Sequence, residues 1–476
     1  MSNREEISGG HFDMDIEVTL KFFSFTKKIS ISKQWLRFGI IAAAILLSTV
    51  ASYFGTMKLL LLLLLLVGGV FSLLFLMENI NLGFIFIFLA GMFIPFEGPG
   101  RINASILAVI LLVFLWIIDM FVVKRNIQLI KSRVTRPALW FLLLSIIAFG
   151  IGQIPWFVFA NQAPLTAQIG GFAIHFFSVM TMIMTADMLK EIRWLKAIVW
   201  AFVGLGTFYI LGRAFNLTFI VHLYQPGFTA GSMLWTWLVA IPLSQAIFNN
   251  KLKLSHRILL YSIVVMTFYI ALAQGYDWKS GWVPPAIAVA VLVGLRFRKL
   301  LLFAIPFAGI IAVYLAKDLI STDQYSWGTR LDAWIIILSI SRISPIFGLG
   351  FANYYWYTRL IPIRGYNVEF NSHSQYIDLM AQMGILGLIC FFWIFFELGN
   401  LSWSLVKQLP DGFERAYAYC ILAGLAGTLV SAYLGDWVLP FTYNIGLDGF
   451  RASILPWIFF GGMLSVEQIH LATKDL

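Results

Sequence analysis

Cysteine is almost missing: Cys390 and Cys420 are the two in 476 residues, both inside apolar stretches, which leaves no disulfide framework and no metal-ligand spacing. Charge is scarce too. Asp, Glu, Lys and Arg make up 12% of the chain against 60% hydrophobic residues, more apolar surface than a water-soluble core can hide, so the chain reads as an integral membrane protein. No internal repeat is visible. No short apolar region with a small-residue cleavage site opens the chain, so residues 1–34 read as a retained cytosolic tail. Asp318, Asp323, Asp332 and Asp378, in or near the stretch from Gly328 to Leu388, form no Asp-x-Asp pair, and oxygen-rich metal sites need several convergent carboxylates. The expected chemistry is therefore metal-independent and calls for no cofactor.

What is present is mostly membrane span. A helical crossing needs roughly 20 apolar residues, and about fourteen stretches approach this: 36–53, 58–76, 80–96, 104–122, 138–154, 170–188, 194–212, 229–248, 258–274, 281–295, 300–317, 376–399, 416–434 and 450–466. The fold class is all-α and polytopic, with 12–14 transmembrane helices expected. Helices 1–11 occupy 35–317, a long outer loop with short helices occupies 318–375, helices 12–14 occupy 376–470, and 471–476 is a cytosolic tail. Pro284-Pro285 predicts a kinked or late start to the tenth span.

The net charge of +10 does not point to nucleic acid, because the basic residues lie in short loops at helix ends. With an inner N-terminus and alternating spans, most of the 33 Lys and Arg fall on the cytosolic side, as the positive-inside rule requires. Lys317, Arg330, Arg342, Arg359 and Arg364 fall on or beside the outer loop, where that rule gives no reason for them. An anionic partner on that face does.

The stretch from Gly328 to Leu388 carries the chemistry. Arg330 precedes an apolar segment, Leu331 to Ile343, that is too short to cross and reads as re-entrant or interfacial. Ser344-Pro345 ends it, and Gly348 and Gly350 allow a close backbone approach. This Pro-x-x-Gly-x-Gly turn seats Arg330 at headgroup level, where a guanidinium can bind phosphate oxygens through two parallel hydrogen bonds. Ser372 with Gln375 forms a capping-box pattern that makes His373 the first residue of the twelfth span. The positive end of the helix dipole then favours a neutral imidazole, the form a general base needs. Asp378, five residues on, is too far round the helix to face His373. The aromatic run Tyr354-Tyr355-Trp356-Tyr357, with Tyr376, suits stacking on sugar faces, and Arg359 and Arg364 are further candidates for glycan or acceptor binding. Aromatic belts and snorkelling arginines occur at membrane edges without any ligand.

Taken in order, Arg330, the Pro345-x-x-Gly348-x-Gly350 turn, and His373 eleven residues before Gly384-x-x-Gly387 resemble the O-antigen ligase and polymerase superfamily of bacterial membrane glycosyltransferases. The resemblance covers about sixty residues closely and the remainder only in topology. It implies a GT-C-like fold in the cytoplasmic membrane with its active site on the outer face. It also implies a polyprenyl-diphosphate-linked glycan donor, a glycan, lipid-linked or protein acceptor, His373 as base and Arg330 on the diphosphate. Members carry a second arginine in a Ser-Arg-x-x-x-Leu pattern. Here Trp278-Lys279-Ser280 takes that place, keeping the charge without the bidentate fork, while Arg213-Ala214-Phe215-Asn216-Leu217 has the spacing two spans earlier. Lys279 and Arg213 both stand as candidates. Ser374 and Gln382 replace an Asn and a Glu of the family pattern. The single long loop favours a ligase over a polymerase; a transporter of a lipid-linked glycan or small anion is the rival from another class, disfavoured by the lack of repeats and of mid-membrane charge.

Overall fold

The computed structural model describes residues 79–98, 101–125, 129–297, 299 and 324–474, with a few positions before residue 79. It divides into two units, Met1–Asn79 and Ile80–Leu476. In the first, Ile16–Glu17 pairs antiparallel with Ser30–Ile31. The expected spans at 36–53, 58–76 and 300–317 lie essentially outside the described residues.

The second unit is helical. Its helices are α1 (Ile80–Phe93), α2 (Ala104–Ile118), α3 (Thr135–Ile151), α4 (Leu165–Met188), α5 (Ile192–Ala214), α6 (Ser232–Phe248) and α7 (Leu254–Ala273). They continue as α8 (Lys279–Arg296), α9 (Gln324–Ser341), α10 (Asn353–Tyr357), α11 (Gln375–Gln408), α12 (Phe413–Leu434) and α13 (Phe450–Lys474). Among the described residues, seven helices are long and apolar enough to cross a membrane, and α1, α3 and α6 are shorter apolar helices. The chain is an all-α multi-pass membrane protein.

Burial follows apolar periodicity. Every residue of α6 is buried, as is α13 from Phe450 to Val466, because both are apolar on all sides and have no face to give to lipid headgroups or water. The other helices surround them: α4 packs on α13, while α12 runs along α6, α8 and α11.

Pro284 and Pro285 both lie inside α8. Pro284 removes the N–H that the Ser280 carbonyl four residues earlier needs. Ser232 Oγ of α6 donates to that carbonyl at 2.6 Å and accepts from Ser431 Oγ of α12 at 2.8 Å. The proline defect thus becomes a polar tie among three helices, the kind of internal satisfaction a bilayer demands.

Arg451 is buried at the start of α13, paired with Asp448 at 2.7 Å. Its guanidinium also donates to the carbonyls of Ala90, Gly91, Ile94 and Phe96, closing the C-terminal end of α1. At the opposite end of the bundle Lys196 pairs with Glu414, Lys474 donates to Gln408, and Gln468 reaches the Lys131 carbonyl. That end collects the loops richest in Lys and Arg.

Candidate functional site

The site is built on a break in α11. Gly384 has φ 67° and ψ −170° in the middle of this helix, a conformation essentially confined to glycine. The break orphans backbone groups that lipid cannot satisfy. The turn after α9 supplies their partners: Leu349 and Gly350 N–H donate to the Ala381 and Gln382 carbonyls at 2.8 and 3.1 Å. In return, Ile385 and Leu386 N–H donate to the Pro345 and Ile346 carbonyls at 2.9 and 3.3 Å. Gly348 and Gly350 take φ of 77° and 84°, and a Cβ on either would collide with the backbone of Gln382 or Gly152. Gln382, in the place of a family glutamate, accepts from Ala352 N–H at 3.0 Å. The Pro-x-x-Gly-x-Gly turn is therefore a plug for the broken helix, and through it α9 is fixed to α11.

Around this plug the polar groups converge. Arg330 lies inside α9, which starts at Gln324 rather than after the arginine as the apolar pattern suggested. Trp334 Nε1 on the same helix donates to the Ser372 carbonyl at 2.7 Å. Ser372 Oγ accepts from Ser374 N–H (2.9 Å) and donates to Asp378 Oδ1 (2.7 Å); Tyr354 Oη donates to the same carboxylate oxygen. Asp378 is thus engaged by Tyr354 and Ser372. Burial, then the Asp378 carboxylate, holds the Tyr354 phenol protonated far above its usual range.

The capping box expected from Ser372 and Gln375 does not form. Ser374 is the N-cap, and Gln375 Oε1 instead accepts from Leu439 N–H at 2.8 Å. His373 stands ahead of the helix with φ 49°, outside its first turn, so the helix dipole is not what sets its charge. The ring is exposed at the rim of a cavity, yet burial by the surrounding wall lowers its pKa, and the positive charge of Arg330 lowers it further. Both effects favour the neutral imidazole.

That cavity has a volume of about 530 Å³ and is lined by Arg330, His373, Glu369, Tyr355, Tyr443 and Asn444 among others. Arg330 and His373 thus share one space. The wall carrying Tyr443 and Asn444 comes from the loop between α12 and α13, which the sequence reading left out. Its core is Asp436, 1% exposed, which accepts from Phe441 N–H at 2.7 Å and Asn444 Nδ2 at 2.6 Å. Burial raises the Asp436 pKa, while these bonds and the Arg330 charge oppose the rise. Asn444 Nδ2 also lies 3.5 Å from His373 Nδ1. An amide N–H group can only donate, so the tautomer of His373 with Nδ1 unprotonated is the one that suits this contact.

The other candidates divide. Arg359 pairs with Glu369 on the cavity wall at 3.1 Å, and Arg364 pairs with Asp332 at 3.0 Å. Trp356 Nε1 donates to Tyr443 Oη at 2.8 Å, and Tyr355 of the same aromatic run stacks on Tyr443 with centroids 4.5 Å apart. Tyr354 is 0% exposed, which corrects its reading as a sugar-stacking residue. Tyr376 turns to α12, donating to the Leu429 carbonyl. Lys279 and Arg213 are not among the residues lining this cavity: Lys279 Nζ sits 3.7 Å from the Tyr276 ring centroid, and Arg213 lines a separate pocket of about 440 Å³.

Comparison with known proteins adds one finding. Residues 227–392 match the family model described as O-Antigen ligase. This stretch is similar to the O-antigen ligase family. No curated protein matches the chain. The matched stretch, about a third of the sequence, contains Lys279, Arg330, the plug, the helix break and His373. Arg213, Asp436, Tyr443 and Asn444 lie outside it.

Proposed function

We propose that the protein is a glycosyltransferase of the O-antigen ligase type, moving a glycan from a polyprenyl-diphosphate carrier to an acceptor hydroxyl at the outer face of a bacterial cytoplasmic membrane. The observation that carries this reading is the shared cavity: a guanidinium and a neutral imidazole face the same space. The acceptor hydroxyl attacks the anomeric carbon and its proton passes to His373 Nδ1, displacing the long Asn444 contact. The bond between that carbon and the diphosphate oxygen breaks, and the prenyl diphosphate leaves with its electron pair. Arg330 stabilises the charge on the departing phosphate. Such a leaving group is already ionised, so orientation and charge stabilisation are the protein's main contributions.

The test is turnover by purified protein on a lipid-linked glycan. Arg330→Ala should lower the rate by about 100 to 1000-fold, the usual loss when a donor aimed at developing charge is removed, and His373→Ala should lower it comparably. Wild-type turnover by both variants rejects the site. A polymerase would use the same groups with the end of a growing glycan as acceptor, and the mass of the product separates the two. Flux of a lipid-linked glycan across vesicles without new glycosidic bonds would favour the transporter instead.

A further inference from the structure

The second pocket has its own chemistry. It lies where the C-terminal ends of α5 and α7 meet the starts of α6 and α8, and Trp437 from the loop after α12 closes it. Arg213 Nε and Nη2 both donate to Gln274 Oε1 at 3.1 and 3.0 Å, and Nη1 donates to Tyr209 Oη at 3.3 Å. Both acceptors are neutral. Among the described residues no carboxylate pairs with this guanidinium, so its orientation is fixed and its charge is not cancelled. Three of five N–H groups are used and two remain. Beside it stand three indoles: Trp235 meets Trp278 at 6.2 Å, Trp278 meets Trp437 at 5.8 Å, and Trp235 Nε1 is held by the Thr229 carbonyl at 3.0 Å.

We propose that this pocket binds a sugar bearing one anionic group, a phosphate monoester or a carboxylate. Aromatic faces accept the C–H face of a pyranose, and a guanidinium with two free donors takes one phosphate or carboxylate in bidentate fashion. A lone guanidinium matches one such group better than a diphosphate, which needs further cations. Lys279, next to Trp278 in sequence, is placed over the Tyr276 and Trp282 rings. The loop from Gly435 to Gly446 separates this pocket from the reaction cavity, with Trp437 on one side and Tyr443 and Asn444 on the other. A glycan chain long enough to lie over that loop would touch both. The proposal rests on the glycan-transfer reading for the origin of the sugar, in the donor glycan or in the acceptor, and not for its chemistry.

Saturation-transfer NMR on the full chain in lipid nanodiscs tests it, with glucose 1-phosphate, glucose and inorganic phosphate as probes. Wild type should bind glucose 1-phosphate at least about tenfold more tightly than either of the others, and Arg213→Gln should remove that preference. Trp278→Ala, which keeps the guanidinium, should weaken glucose 1-phosphate and leave inorganic phosphate unchanged. His373→Ala should change neither. Equal affinity of wild type for the three probes, or a preference that survives Arg213→Gln, overturns the proposal, as does a preference abolished by His373→Ala alone. In the transfer reaction, a KM raised by Arg213→Gln for the donor alone assigns the sugar to the donor, and one raised for the acceptor alone assigns it to the acceptor. The NMR comparison needs no turnover, so it stands or falls separately from the transfer reading.

Discussion

Replacing Gly384 by alanine asks how much the broken helix contributes. At φ 67° and ψ −170° an alanine is strained by about 1–3 kcal/mol whatever surrounds it. Here the space is also occupied: the new Cβ would overlap the Ile346 carbonyl and approach Gly348 N at 2.6 Å. Two relaxations are open. Either the plug withdraws, or α11 straightens past it. Both sacrifice the four backbone bonds that cross the break, at about 0.5–1.5 kcal/mol each. Strain alone sets the lower bound near 1 kcal/mol, and strain with all four bonds sets an upper bound of roughly 9 kcal/mol. Gly365 is the control, because its φ is 86° but nothing lies within 4 Å of its Cβ position, so Gly365→Ala carries strain without the bonds. Thermal unfolding in detergent, followed by tryptophan fluorescence, should place Gly384→Ala well below Gly365→Ala, with both below wild type. If the two variants melt together, the plug contributes nothing and the account of the turn is wrong.

Other outcomes follow from the same geometry. Because burial and Arg330 lower the His373 pKa, the neutral ring persists as pH falls below 6.5, the ordinary histidine value. An NMR titration of labelled His373 should show its midpoint under that value, and Arg330→Met should move the midpoint upward; a midpoint unmoved by that change would mean the two groups do not sense each other. Tyr354→Phe leaves an oxygen of buried Asp378 and the Ser372 N–H short of a partner, so unfolding should become easier by about 1–3 kcal/mol, read as a lower melting temperature. Trp334→Phe deletes the bond to the Ser372 carbonyl; turnover should fall while melting changes by no more than about 1.5 kcal/mol.

The sequence carried the apolar stretches plainly, since burial in lipid or protein needs only composition. Eleven of the expected spans coincide with helices α1 to α8 and α11 to α13. It carried the identity of Arg330, His373 and the glycines of the turn, but not what the turn does. The apolar run either side of Gly384 contains no proline, and a pattern that reads composition cannot see a defect satisfied from a distant segment. Helix α9 begins at Gln324, running through the loop-like Ser326-Trp327-Gly328, while Asp332 and Trp334 farther along it have tertiary partners in Arg364 and the Ser372 carbonyl. Ser372 and Ser374 both suit an N-cap, and Asp378, by engaging the Ser372 hydroxyl, leaves the cap to Ser374. Asp436 and Asn444 were the hardest to find. A carboxylate between two spans is a signal, but only its bond to Asn444 beside His373 and the charge of Arg330 give it meaning.

The C-terminal hairpin of α12 and α13 has a consequence for anyone altering this chain. Its connecting loop furnishes Tyr443 and Asn444 to the cavity shared by Arg330 and His373 and Trp437 to the neighbouring pocket, while Arg451 just beyond ties the same hairpin to α1. A fragment ending where the matched family stretch ends would keep the arginine and histidine and lose the side of the cavity opposite them. Fusions and deletions near the last two helices therefore alter the walls of both pockets, not the anchoring alone.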